Sequence, residues 1–228
     1  NRGPIFGQLI LADEINRTPP KTQAALLEAM QESAVTYGGK TYALERPFFV
    51  LATQNPIEQS GTYPLPEAQL DRFLLYLTID YPTEAEELTM LARTTGAPTA
   101  TIEPVMSAAE IVQLQQLARS VLISPELLAY LNQLVRATRD RTHPAIGRWI
   151  RWGAGPRAGQ SLVLAAKARA LLAGRFAVTL DDITTLAAPA LRHRLLLTFE
   201  AEAENVTRDH VIRELLAAFP APANPLST

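Results

Sequence analysis

A short, largely apolar run from Gly7 to Ala12 is the first ordered pattern in the chain, and it is too brief for a typical helix. Its Gly-Pro-containing approach favours a strand, and the lack of alternation predicts burial on both faces, as in a parallel sheet. TPPKTQAALLEAMQES then reads as a helix. Thr18 can cap it, Pro19 and Pro20 are tolerated in its first turn, and Leu26, Leu27 and Met30 recur on one face. AVTYGGKTYAL places β-forming residues on both sides of Gly38-Gly39 and predicts a hairpin. A second buried strand is predicted from Pro47 to Thr53, ending in polar Gln54 and Asn55. PEAQLDRF predicts a short helix, and Leu74 to Asp80 a third strand. Strands alternating with helices indicate an α/β sheet.

Past about residue 95 the period changes. TTGAPTATIEP is rich in turn residues and reads as a linker, and the chain beyond it is helical throughout. Ser107 and Glu110 form a capping box ahead of Ile111, Leu114 and Val121. Ser124-Pro125 starts a second helix carrying Leu127, Leu128, Leu131 and Leu134. Pro156 opens a third that stops at Gly174, Thr179 and Asp182 cap a fourth, and VTRDHVIRELLAAF is a fifth. PAPANPLST reads as a disordered tail, and no internal repeat is evident. The expected layout is an α/β portion over 1–95, a helical domain over 96–219 and a tail over 220–228.

Composition narrows the function classes. At 47% hydrophobic and 19% charged residues the chain is ordinary globular protein. A net charge of −2 suggests neither a nucleic-acid surface nor a membrane-seeking one. With no cysteine, disulfides and thiolate metal sites are excluded, and a reducing, cytoplasmic location is expected. The first residue is Asn1, and NRGPIFG reads as the interior of a longer sequence, so a fragment is expected.

Candidate chemistry gathers at strand ends. LILADEINRT ends its apolar run on adjacent carboxylates, Asp13 and Glu14, an arrangement that repulsion and desolvation penalise unless a cation or a proton-transfer task occupies the site. Ligands of parallel α/β sheets sit beyond the carboxyl ends of the strands, so Asp13, Glu14 and Asn55 could share one crevice. Two acids beside an amide suit a magnesium-nucleotide site; the alternative is that acidic strand ends simply meet solvent. Arg157 lies in the first turn of a predicted helix, where the backbone dipole disfavours a cation unless a phosphate is bound. Asp71 and Arg72 read either as a functional arginine or as a surface pair. The three histidines (His143, His193, His210) lack metal-ligand spacing. RWIRW at 148–152 could stack on bases, but packing of its tryptophans against the helical domain is the better reading, and RHRLLL reads as an amphipathic helix end.

LILADEINRTPPKTQAALLEAMQE resembles the Walker B segment of AAA+ ATPases of the MoxR family. FFVLATQNPIEQSGTYPLPEAQLDRF resembles that family's sensor-1 strand, following loop and arginine-finger helix, the Gly38-Gly39 hairpin its pre-sensor-1 insertion, and GAGPRA its sensor-2 motif. The similarity runs from about residue 3 to about residue 219. It implies the later part of an AAA+ nucleotide-binding core followed by an all-α lid. It further implies ATP and Mg2+ as cofactors, with Asp13 holding the magnesium shell, Glu14 polarising the attacking water and Asn55 as sensor 1. Arg72 would be the finger reaching a neighbouring subunit's nucleotide, and Arg157 the sensor-2 residue contacting its own subunit's γ-phosphate. A homo-oligomeric, hexameric ring is implied, remodelling a client such as a protein with a von Willebrand A domain or a metal-dependent enzyme being matured.

One departure is an absence. The phosphate-loop pattern G-x-x-x-x-G-K-[ST] does not occur, and GGKT at 38–41 lacks the upstream glycine and sits in a hairpin. The resemblance to AAA+ proteins implies that the strand leading into that loop lies between the sensor-1 strand and the last core strand, so residues 1–95 are expected to form an incomplete sheet, and the chain alone to be inactive. The competing readings are a non-catalytic assembly module derived from an AAA+ protein and, ranked last, a metal-dependent hydrolase using Asp13 and Glu14 without nucleotide.

Overall fold

The computed structural model describes residues 3–55, 61–96, 103–144 and 146–219. The expected tail over 220–228 and part of the expected linker lie outside these. Strand β1 (Leu9–Ala12) pairs in parallel with β4 (Phe49–Ala52), Ala12 opposite Ala52. Helix α1 (Pro20–Glu32) covers one face of this pair. Ala12 and Ala52 meet Leu26 and Met30 around a small core of Ile15, Leu27 and Leu65. The alternate residues Leu9, Leu11, Phe49 and Leu51 are exposed, so the expectation of burial on both faces is corrected. Among the described residues nothing covers the second face, and strand side chains alternate between faces.

Thr18 does not cap α1 as expected. Pro19 holds that position, and Thr18 Oγ1 instead donates to Ile15 O at 2.7 Å, closing the 3-10 turn of residues 15–17. The hairpin forms between β2 (Ala34–Tyr37) and β3 (Lys40–Ala43), with Gly38 and Gly39 at φ 58° and 75°, the left-handed pair that a two-residue turn requires. Helix α2 (Glu67–Leu70) is the short helix of PEAQLDRF. The third strand is not formed. Residues 74–80 find no strand edge among the described residues; Leu77 and Ile79 are exposed while Tyr76 N–H donates to Pro189 O at 2.8 Å. Helix α3 (Glu84–Thr94), with a Thr83/Glu86 capping box, was not anticipated.

The helical portion holds the larger core. Helices α4 (Ala108–Ser120), α5 (Pro125–Ala137), α6 (Pro156–Leu172), α7 (Leu180–Leu191) and α9 (Arg208–Ala218) match the five expected, with α8 (Phe199–Ala203) added. Leu134, Leu162, Ile183, Leu191 and Ile212 are buried together. Strands β5 (Ile150–Trp152) and β6 (Leu196–Leu197) form a short antiparallel pair that the sequence pattern did not suggest. Trp149 is buried with its Nε1 on Glu204 at 3.0 Å, as packing predicts, whereas Trp152 stands 72% exposed. RHRLLL begins where α7 ends, but it leaves the helix: residues 192–194 form a 3-10 turn in which His193 and Arg194 are buried, and Leu196–Leu197 form β6.

Candidate functional site

Because β1 and β4 run in register, their carboxyl ends stop level with one another. Thr53, just past β4, ties the two tips together. Its Oγ1 donates to Asp13 Oδ1 at 2.5 Å and accepts the Glu14 N–H at 2.8 Å, while its carbonyl accepts the Ile15 N–H at 3.0 Å. These bonds hold Glu14 in the left-handed region at φ 48°, ψ 51°, a conformation that costs a non-glycine residue about 1–2 kcal/mol and that concentrates at functional sites. Glu14 Oε2 lies 3.0 Å from Arg17 Nε, so the carboxylate is paired with a cation. Asn16 Nδ2 donates to the backbone carbonyl of Asn55 at 3.4 Å, which links the turn after β1 to the segment after β4. The Asn16 Oδ1 is buried and has no partner among the described residues.

Helix α1 braces this turn from behind. Gln23 is buried, and its Nε2 is shared among the carbonyls of Ile15, Thr18 and Tyr63 at 3.1, 3.2 and 2.9 Å. Asp13 and Glu14 therefore stand at the tip of β1 beside Thr53, and Asn55 follows three residues past the end of β4, joined to the turn through its backbone carbonyl. Thr53, Asn16 and Gln23 were missed. Thr53 offered a signal, being the first polar residue after an apolar strand, but Gln23 sits in a helix pattern that gives no reason to single it out.

A second constellation lies at the other end of α1. Arg72, just past α2, donates from Nη1 to Leu27 O at 3.4 Å. It shares a cleft of about 250 Å3 with Met30, Gln31, Arg157, Gln160 and Ser161. Asp71 lines the same cleft, and Leu27, whose carbonyl takes the Arg72 bond, stands four residues along α1 from Gln23, which braces the turn after β1. Arg157 is exposed at the start of α6, whose N-cap, Gly155, supplies no side-chain acceptor. Gly153, in the same GAGPRA stretch, lies flush on the end of α5: a Cβ there would stand 2.1 Å from Thr138 O. That contact, with Ala154 N–H on Thr138 Oγ1 at 3.0 Å, sets where α6 begins. Asp71 does not pair with Arg72; its Oδ1 accepts from Arg194 Nε at 2.8 Å.

The donor chemistry fits a magnesium-nucleotide pair. Two carboxylates and a hydroxyl are hard oxygen groups, suited to a cation that keeps most of its ligands as water and phosphate. Among the described residues no cluster of three or more His, Cys, Asp or Glu exists that could hold a metal by protein groups alone. The three histidines stand apart, His143 on Phe219, His193 on Tyr76 and His210 on Trp149. No helix among the described residues is long and apolar enough to cross a membrane.

Comparison with known proteins bears on both constellations. Residues 1–75 match the model of the ATPase family associated with various cellular activities (AAA), and residues 142–215 match the AAA lid domain. YeaC of Bacillus subtilis, an uncharacterized protein, is 46% identical over 96% of this chain and 67% of its own length. Chaperone MoxR1 of Mycobacterium tuberculosis is 40% identical over 96% of the chain and 59% of its length, and protein MoxR of Paracoccus denitrificans 31% over 97% and 71%. A crystal structure from Cytophaga hutchinsonii, described as a candidate ATPase, superposes with a TM-score of 0.90 at 41% identity, covering 95% of this chain and 67% of that one. The chain thus spans between about three fifths and seven tenths of the length of these relatives. The fold is that of an AAA+ core portion followed by its helical lid, and the chain belongs to the MoxR family of AAA+ ATPases.

Proposed function

We propose that the protein carrying this chain hydrolyses ATP and uses the hydrolysis to remodel or mature partner proteins. The observation behind this is the level pair of strand tips that presents Asp13, Glu14 and Thr53 together. Magnesium, when bound with the nucleotide, would neutralise charge on the phosphate oxygens, and Asp13 would hold its water shell. Glu14 would orient a water and accept its proton, its backbone held in an imposed left-handed turn. Asn55 would contact the γ-phosphate from the neighbouring strand.

The arginine cleft supports a division of labour between subunits. Arg72 and Arg157 line one cleft, so a single phosphate would meet both, and Arg72 acting as a finger would put that phosphate on a neighbouring subunit. For Arg157 this is an alternative to the own-subunit contact that the family resemblance implies. It also requires the head-to-tail ring that AAA+ ATPases usually form. A hexamer, and a client with a von Willebrand A domain or a metal-dependent enzyme, are the specific partners this reading favours. Residues 1–228 alone would neither bind ATP tightly nor turn it over, because their sequence contains no phosphate-loop pattern; magnesium-dependent turnover by this chain would overturn that.

The test of the catalytic assignment is Glu14→Gln in the full-length gene product, with ATP binding and turnover measured side by side. Binding should persist while turnover falls ~100-fold or more, the usual scale for removing a positioned general base. Unchanged turnover would remove Glu14 from the role.

A further inference from the structure

Arg194 sits between the two arginines assigned to the phosphate, and we infer that it is a positioning residue that locks Arg72 and Arg157 into one unit and makes the lid move the finger. The inference rests on the reading of Arg72 as the finger. The Arg194 side chain is 2% exposed, among the most enclosed charged groups described. Its Nε donates to Asp71 Oδ1 at 2.8 Å. Its Nη2 is shared among Asp71 O at 3.0 Å, Phe73 O at 2.7 Å and Ser161 Oγ at 3.0 Å. Its Nη1 donates to Ala190 O and, at 3.4 Å, to Leu74 O.

One planar guanidinium thus grips the backbone on both sides of Arg72 and a hydroxyl on α6, four residues beyond Arg157. Positions four apart on a helix share a face, so the grip on Ser161 lies one turn below Arg157. The neighbouring residues of the same turn extend the clasp. Arg192 Nη1 donates to Tyr76 O at 2.8 Å and His193 Nε2 stands 3.1 Å from Phe73 O. Tyr76 N–H returns a bond to Pro189 O of α7.

The charge on Arg194 is held against opposing influences. Burial and the nearby Arg157 both work against its charge, and Asp71 opposes them. A lysine would carry the same charge but could not serve acceptors fanned over this geometry, because only the guanidinium offers a fixed planar fork of donors. The consequence is mechanical. A phosphate that draws in Arg157 tilts α6, and the Arg194 fork passes that displacement to residues 71–76 without a hinge between them.

The experiment has a nucleotide-free arm and a kinetic arm, both on the full-length gene product. In hydrogen exchange without nucleotide, Arg194→Met should speed amide exchange over 71–76 by ~10-fold or more, since it removes the bonds that fix this segment to the lid, and leave residues 9–15 unchanged. In steady-state assays it should lower kcat by ~10- to 100-fold with KM for ATP within about twofold, the scale of a misplaced catalytic group. Added to Arg72→Ala it should lower kcat no further, because both act through one contact. Losses that multiply, or unchanged exchange over 71–76, would overturn the inference. Should Arg194→Met fail to fold, Ser161→Ala removes only the link to α6. It should lower kcat by ~3-fold alone and not at all in an Arg157→Ala background, and independent losses there would overturn the inference as well. A wild-type kcat for Arg72→Ala itself would instead remove the finger assignment on which this rests.

Discussion

Acidification should loosen the attachment between the lid and residues 71–76 through His193. Its Nε2 lies 3.1 Å from Phe73 O, its ring stacks on Tyr76 with centroids 5.8 Å apart, and its Nδ1 is buried with no partner among the described residues. A proton on Nδ1 would enter a site with no acceptor. Burial disfavours the imidazolium most, Arg194 adds repulsion, the Phe73 carbonyl and Asp71 oppose both, and Arg192 adds a final repulsion. The ring's pKa is brought down to about 4 from 6.5. With the folded value below the unfolded one, the unfolded chain binds more protons between them. Stability is therefore complete above about pH 6.5 and is lost as pH falls toward 4.

Linkage with these two values gives a loss of about 2 kcal/mol between pH 7 and pH 5 from this ring alone. Urea unfolding at the two pH values, followed by tryptophan fluorescence from the helical portion, measures it. His193→Phe keeps a flat ring against Tyr76 and removes the titration. Phe73 O keeps its bond from Arg194 Nη2 at 2.7 Å, so no carbonyl is stranded. The variant should lose about 2 kcal/mol less than the wild type over that interval. Equal losses in both proteins would refute the reasoning.

Two further changes probe the scaffold. Asp182 is fully buried at the start of α7, where it accepts from Arg169, from both Arg175 nitrogens, and from the Thr179 N–H and hydroxyl. Asp182→Ala should cost ~2–4 kcal/mol in urea unfolding, less than a fully buried pair because both arginines are about a third exposed and can rehydrate. Burial alone would raise this carboxyl, but the bonds from Arg175, Thr179 and Arg169 hold it far below the usual carboxylate range, so the effect of Asp182→Ala should be the same at pH 7 and pH 5. Gly153→Ala places a Cβ against the immovable Thr138 carbonyl and should destabilise the lid by ~3 kcal/mol or more in the same assay, with Arg157 displaced along with α6.

The elements that could be read from sequence are those whose signals are local. Capping boxes at Ser107/Glu110 and Thr179/Asp182, the Ser124-Pro125 start and the Gly38-Gly39 turn each carry their cause within four residues, and each is found in place. The acidic doublet was also legible, because two adjacent carboxylates after an apolar strand conflict with local energetics. Failures have long-range causes. Leu74 to Asp80 has a strand's composition, but a strand exists only where an edge is available to pair. Leu9 and Leu11 look buried because apolar composition does not say what covers them. Arg194 was read as part of a helix end because its acceptors at 71, 73 and 74 lie some 120 residues away. No short-range pattern distinguishes a buried arginine from a solvated one.

The division of labour between the acidic tips and the arginine cleft is tested most directly by mixing subunits of the full-length gene product. Glu14→Gln lacks the water-orienting carboxylate but keeps its arginines, and Arg72→Ala keeps the carboxylate but lacks the finger. Each alone should be nearly inactive. In a one-to-one mixed ring, about a quarter of the interfaces would pair an intact Glu14 with a neighbour's intact Arg72, so turnover should recover to about a quarter of the wild-type rate. Turnover no greater than the average of the two separate variants would contradict the account.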